Sequence, residues 1–312
     1  MSDRSVFSTE RRKKANQKSL LNNKPLGYRM LIPASLLILL ISIYPLINGI
    51  VLGFQQYNLL KPKRRGFIWF NNFVKLSGDS EFFQAITFTF IYTISVVLIA
   101  YCLGLMLALL LNRNIRFRGM FRALILIPWI IPPVVAATNW ALLLNDQIGF
   151  VNNLLRKIGL IENSVLFLAA PDTARITVII TSAWKSFPFM MITLLAGLQA
   201  IPGELYEAAE IDGASAGQRF LHITMPMLNS VTVVCTTLMF IWTFNNMENI
   251  YLLTRGGPNQ ATFVLSILTY YTAFMRSDIG YASAMATVLL VILLVMSLIY
   301  TRLLNKSNKM EY

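Results

Sequence analysis

The chain has 312 residues, of which 56% are hydrophobic and 13% charged, with a mean hydropathy of +0.59 and a formal charge of +13. That balance excludes an ordinary soluble domain, and several nearly uncharged windows exceed ~18 residues, the length a helix needs to cross ~30 Å of hydrocarbon. The basic residues sit beside the apolar runs rather than along one soluble face, which argues for orientation in a bilayer and against a nucleic-acid partner.

Residues 1–29 carry Arg4, Arg11, Arg12, Lys13, Lys14, Lys18, Lys24 and Arg29 among Ser and Asn, without apolar periodicity, and read as a solvated basic tail. The run from Met30 to Gly53 is too long for the core of a signal peptide, and ends in Phe54-Gln55-Gln56-Tyr57 rather than a small-residue cleavage site. It is expected to be the first permanent span. Further spans are expected near residues 85–111, 120–144, 176–198, 227–248 and 281–303, followed by a polar tail at 306–312. The alternation that marks a β-barrel is absent, so the fold class is an all-α membrane protein of six helices.

Six spans return both termini to one side. Placing the tail in the cytoplasm also puts Arg113, Arg116, Arg118, Arg122, Arg219, Arg302, Lys306 and Lys309 there, an excess over the opposite side in spite of Lys61, Lys63, Arg64, Arg65 and Lys75 in the first outer loop. The outer loops, 55–84 and 145–175, hold Trp69, Phe70, Phe73, Phe82, Phe83, Phe150 and Phe167, residues suited to anchoring at the membrane interface. Residues 263–275 are too short to span and are expected to form an interfacial helix at the outer face. Gly49 and Gly53 form a Gly-x-x-x-Gly pair, a sign of close helix packing.

Little in the chain supports chemistry of its own. Cys102 and Cys235 both lie inside apolar runs and His222 is the only histidine, so neither a disulfide framework nor a metal-ligand set is expected. An intramembrane enzyme would need a catalytic constellation that one histidine in a loop does not supply. An ion-coupled secondary transporter would place carboxylates near the midplane, whereas the span carboxylate here is Glu248, at the end of a span. A Gly-x-x-x-x-Gly-Lys-Ser/Thr phosphate loop is also missing, so any ATP must be bound by another chain.

Three polar places interrupt the apolar spans. Lys185, beside Trp184, is a basic residue well inside a span, and Pro188 after it predicts a kink. Pro128, Pro132 and Pro133, followed by Asn139 and Trp140, are expected to break or bend the third span. Asn245, Asn246 and Glu248 put polar groups at the outer end of the fifth. Rings stack on apolar sugar faces and amides bond hydroxyls, so these residues are candidates for a translocation path; the competing reading is interhelical packing and bonding, with Lys185 a snorkelling or subunit-interface residue.

The remaining polar stretch, 203–226, lies between the fourth and fifth spans, on the cytoplasmic side by the topology above. Helix formers from Gly203 to Ile211 follow Pro202, Gly213 is placed to stop the helix in a left-handed conformation, and a second helix from Ala214 is expected to end at Pro226. Ala208 and Ala209 keep the surface low while Glu207, Glu210 and Asp212 offer charge-assisted contacts, so the stretch reads either as a docking surface or as an amphipathic connector.

Glu207-Ala208-Ala209, three residues, Gly213, nine residues, Ile223, and then Met225-Pro226 resemble the "EAA" loop of permease subunits of binding-protein-dependent ABC importers. Leu198-Gln199-Ala200-Ile201-Pro202, Leu205-Tyr206, Ile211-Asp212-Gly213-Ala214-Ser215, Pro128-Trp129 with Pro132-Pro133, Trp184-Lys185 before Pro188-Phe189, Phe244-Asn245-Asn246 and Leu252 to Pro258 resemble the carbohydrate-uptake branch, the maltose-type permeases. The family usually has Leu at Met225, Gly at Arg255 and often Asp at Glu248. The resemblance implies a type I ABC importer permease fold, with Glu207, Ala208, Ala209, Asp212, Gly213, Ile223 and Pro226 forming a coupling helix and loop that dock on an ABC ATPase dimer. It further implies no cofactor in this chain, a second permease that is commonly an unlike chain, an extracytoplasmic solute-binding protein, and the bacterial cytoplasmic membrane. A polyol phosphate importer is the neighbouring alternative, and Arg255 with Lys185 would suit an anionic sugar.

Overall fold

The computed structural model describes residues 24–308; the basic tail through residue 23 and the end of the C-terminal tail lie outside the described residues. The first helix begins at Lys24, six residues ahead of the apolar run: Pro25 falls in the first turn, where its missing N–H costs nothing, and the single Gly27 does not stop a helix that the apolar segment nucleates. It is continuous as α1, Lys24–Ile38, a π-turn Leu39–Ile43, and α2, Tyr44–Gly53. A short hairpin pairs β1, Gln55–Gln56, with β2, Gly66–Phe67, and leads through α3, Asn71–Ser77, into the long α4, Ser80–Asn112. Next come α5, Arg118–Ile130, and α6, Pro133–Leu143, then α7, Phe150–Lys157, and α8, Pro171–Ala200.

The polar stretch forms α9, Gly203–Ile211, and α10, Ala216–Met227, which contains a π-turn at Phe220–Thr224. The chain finishes with α11, Asn229–Phe244; α12, Glu248–Thr254; α13, Leu265–Met275, whose last turn is π-helical; and α14, Ile279–Asn308. Among the described residues, four helices are long and apolar enough to cross a membrane, and six crossings result if the bent pairs α5–α6 (91°) and α10–α11 (61°) each count as one.

The longest seam joins α4 to α8, and small residues make it possible. Ala100, Gly104 and Ala108 of α4 are buried where Met190, Met191 and Leu194 of α8 pack, and a Cβ at Gly104 would come within 2.6 Å of the Met190 Cβ. Lipid tails are as apolar as leucine, so helices in a bilayer are held by such close contact rather than by expulsion of water. Of the Gly49/Gly53 pair, Gly53 has this role, its position only 3.2 Å from the Ala284 backbone, whereas nothing lies within 4 Å of a Cβ at Gly49.

Polar tethers fasten the outer ends. The Asn72 side chain donates to the carbonyls of Gly53 (2.8 Å) and Gln55 (3.0 Å), tying α3 to the end of α2. Asp79 caps α4 and accepts a 2.5 Å bond from the Tyr281 hydroxyl, and Arg276 pairs with both Glu81 oxygens at 2.8 and 2.6 Å. Burial pushes the Asp79 carboxyl up, but the Tyr281 bond, the Phe82 and Glu81 amides and the nearby Arg276 together outweigh it and hold the group below its ordinary value.

One expectation is corrected. Most of residues 263–275 does not lie on the surface: Val264, Leu265, Ile267, Leu268 and Thr272 are buried, because the helix packs on α4 and α14, and only its end at Phe274 and Met275 is exposed. α8 continues as one helix through Pro188. A single proline removes one backbone bond, whereas Pro132 and Pro133 remove two in succession, and the sharp bend falls there. α10 ends at Met227, one residue past Pro226, and the chain bends by 61° into α11; Pro226 itself follows a π-turn that has already interrupted the bonding its ring would disrupt.

Candidate functional site: the exposed loop and the bend-side cleft

The loop begins at α9, which Gly213 terminates. Gly213 has φ +78°, its N–H bonds the Glu210 carbonyl at 3.0 Å, and the Ala214 N–H reaches back to Ala209 at 2.9 Å, the paired bonding of a Schellman stop. Ser215 then starts α10 with a reciprocal capping box involving Gln218. The two helices are stapled by Arg219–Glu210 at 2.8 Å and by the Tyr206 and Thr224 hydroxyls at 3.0 Å. Arg219 uses Glu210, which leaves Glu207 exposed beside exposed Ala208, Asp212 and Gly213. Ile211 is 86% exposed and Leu221 62%, apolar side chains presented next to carboxylates. Ala209 is half-buried, and Ile223 packs inward on the cluster containing Leu194 and Leu228. Pro226 is exposed.

Part of the second candidate set shares a cleft of ≈ 450 Å³, lined by Val134 of α6, Trp242, Asn245, Asn246 and Met247 at the end of α11, and Glu248, Tyr251 and Leu252 of α12. Trp140 meets Trp184 edge to face at 5.4 Å, and Phe189 packs on both Trp129 and Trp242. Asn139 is exposed on α6 and does not line the cleft. Lys185 does not line it: its Nζ donates to the Ile131 carbonyl at 2.6 Å and to that of Pro128 at 3.4 Å, while Glu248 of the cleft wall attracts it from nearby. Glu248 is thus the formal charge on the cleft wall. A lysine at the bilayer centre costs at least about 2.5 to 3.5 kcal/mol on insertion scales, and carbonyls stripped of their donors offset that cost.

Sequence reasoning missed Trp242, Tyr251 and the buried network beneath them. Asn249 of α12 donates to Ser182 (2.6 Å) and Thr181 (3.3 Å) on α8, and Ser182 shares a 2.7 Å bond with the fully buried Tyr92 of α4. This network anchors one side of the cleft to the α4–α8 seam. The available signal was Asn249, one position beyond Glu248, since an amide in an apolar bundle needs a partner.

The helix arrangement and the exposed helical loop define a class: a helical membrane-spanning protein with a two-helix loop presented outside the bundle. Comparison with known proteins gives the family. Residues 100–309 match the binding-protein-dependent transport system inner membrane component, and the chain belongs to that family. It is 35% identical over 277 residues to the trehalose/maltose transport system permease protein MalF of Thermococcus litoralis, covering 89% of this chain and 92% of that one. It is 31% identical over 288 residues to the sulfoquinovosyl glycerol transport system permease protein SmoG of Agrobacterium fabrum, covering 92% and 93%. Among solved structures, a bacterial ABC transporter involved in import of the acidic polysaccharide alginate contains a chain that superposes with a TM-score of 0.80 at 26% identity, covering 93% of this chain and 99% of that one. The same kind of transporter bound to a periplasmic protein holding an alginate pentasaccharide gives a TM-score of 0.75 at 28% identity, covering 90% and 94%. The fold is that of type I ABC importer permeases, and the chain is a permease of that kind.

Proposed function

We propose that this permease carries a sugar or short oligosaccharide, released by an extracytoplasmic binding protein, across the cytoplasmic membrane. The observation that carries the sugar reading is the match to a trehalose/maltose permease along 89% of the chain. The cleft supports it, since Trp242 and Tyr251 offer ring faces while Asn245, Asn246 and Glu248 offer partners for hydroxyls. Glu248 lines the wall while the Lys185 ammonium lies close enough to attract it, so the two charges offset one another and the ring faces and amides are left as the main contacts for a sugar.

The energy source in this proposal is an ABC ATPase dimer in the cytoplasm, where ATP is bound. Glu207, Ala208, Ile211 and Gly213 form the surface it grips, and the staples from Glu210 to Arg219 and from Tyr206 to Thr224 make α9 and α10 move together. Because α10 leads into α11, whose outer end lines the cleft, a push on α9 is passed along one helical path to the substrate side. Both termini lie in the cytoplasm, and a second permease, an unlike chain as is common in carbohydrate importers, completes the pathway. The test is uptake of labelled sugars delivered by the cognate binding protein into vesicles holding the assembled importer. Transport of a neutral sugar, abolished by omitting ATP, is expected; transport of phosphorylated polyols alone would overturn the substrate assignment.

A further inference from the structure

We propose that Lys185 is a positioning residue for transport: its ammonium gives the Pro128 carbonyl the donor that Pro132 lacks and bonds the Ile131 carbonyl at the break between the helices, and thereby fixes the bend between α5 and α6 that sets one wall of the cleft. In a regular helix the Pro128 and Trp129 carbonyls would accept from the N–H groups of residues 132 and 133, and proline has none. The last regular bond of α5 is from the Ile131 N–H to the Ile127 carbonyl at 3.1 Å, after which the chain turns by 91°. Pro128 is buried and Ile131 half-buried, and both carbonyls take a donor from the protein.

Lys185 lies midway along α8 and is 54 residues from Ile131 in sequence, yet its Nζ reaches Ile131 and Pro128 together. Its charge also opposes the negative end of the α5 dipole, which a neutral donor would do less well. Val134, three residues past Ile131, lines the cleft, and Trp140, two turns further along α6, packs on Trp184 next to the lysine. One side chain therefore joins α8, the bend and the cleft wall. The transport consequence rests on the importer function proposed above; the geometric one does not.

The test uses the assembled importer in nanodiscs with spin labels at Leu124 on α5 and Leu142 on α6, both exposed positions, read as an inter-label distance distribution. A narrow distribution is expected for the unmodified lysine, a broadened one for Lys185→Met, and recovery with Lys185→Arg, which also donates to two carbonyls. Adding Pro132→Ala to Lys185→Met should narrow the distribution again, because alanine restores the N–H facing the Pro128 carbonyl. Uptake should fall at least about tenfold in Lys185→Met, the scale of one lost charge-assisted hydrogen bond, and recover in Lys185→Arg. An unchanged distribution in Lys185→Met overturns the proposal, and if uptake is nonetheless lost the lysine meets the substrate instead. Should Lys185→Met fail to assemble, Lys185→Gln is expected to be broader than Lys185→Arg, and equal widths overturn the proposal. Failure of the importer function itself would show as no ATP-driven uptake by the unmodified protein while the distances still respond.

Discussion

Replacing Gly213 separates the coupling role of the loop from mere connection, because the cost of the change can be worked out in advance. Its φ is +78° and a Cβ there would meet nothing within 4 Å, so a substitution brings no clash and only backbone strain. For alanine that strain is about 1–2 kcal/mol, and asparagine, which visits this region more readily, carries less. One or two kcal/mol corresponds to a shift of about 5–30-fold between two states, so Gly213→Ala should cut ATP-driven uptake by roughly that factor if α9 must leave the stop at this angle. The order of activity is expected to be Gly, Asn, Ala, then Val, with membrane insertion unchanged. Gly203→Ala serves as the control, since Gly203 also faces open space but has no left-handed φ. Uptake and substrate-stimulated ATP hydrolysis would be measured on the same reconstituted samples. Equal effects from Gly213→Ala and Gly203→Ala would refute the reasoning.

Three other outcomes follow from particular contacts. Gly104→Val should lower the thermal stability of the purified permease by about 1–3 kcal/mol, the usual cost of overpacking, since its Cβ would press on Met190, while Val at the open Gly49 should cost far less. Asp79→Asn should destabilise by about 1–3 kcal/mol at neutral pH, because the helix cap and the Tyr281 bond both favour the carboxylate. The folded value is depressed, so this contribution is fully present above the ordinary carboxylate value of about 4 and fades as pH falls through the lower folded value; a melting difference that grew with acidity would contradict it. Trp242→Ala and Asn246→Leu should each reduce sugar uptake while leaving sugar affinity of the binding protein and loop docking intact, measured by uptake and by pull-down of the ATPase.

Local rules made the Gly213 stop and the Pro132–Pro133 bend legible, because each depends on what one or two residues can do with their own backbone. The two-helix form of the loop was legible in its spacing, although the Arg219–Glu210 staple across it was not. Lys185 stood out as a charge in a span, yet its acceptors are carbonyls of a different helix, and pairing across tertiary distance leaves no mark on composition. The helix at 265–275 was misplaced for a related reason: an apolar segment of that length suits either a membrane surface or a core, and the structure buries most of it against α4 and α14. Asn249, Ser182 and Tyr92 come from three helices and meet only after packing.

Coupling of sugar movement to ATP through the loop at Glu207 is most directly tested by reconstituting the permease with its second permease, its ATPase and a sugar-loaded binding protein, and measuring uptake with Glu207 intact or replaced by lysine. Uptake is expected to require both ATP and the binding protein, and Glu207→Lys is expected to abolish it together with ATPase attachment while the permease stays in the membrane. Uptake that follows an ion gradient without ATP, or that persists unchanged in Glu207→Lys, would contradict it.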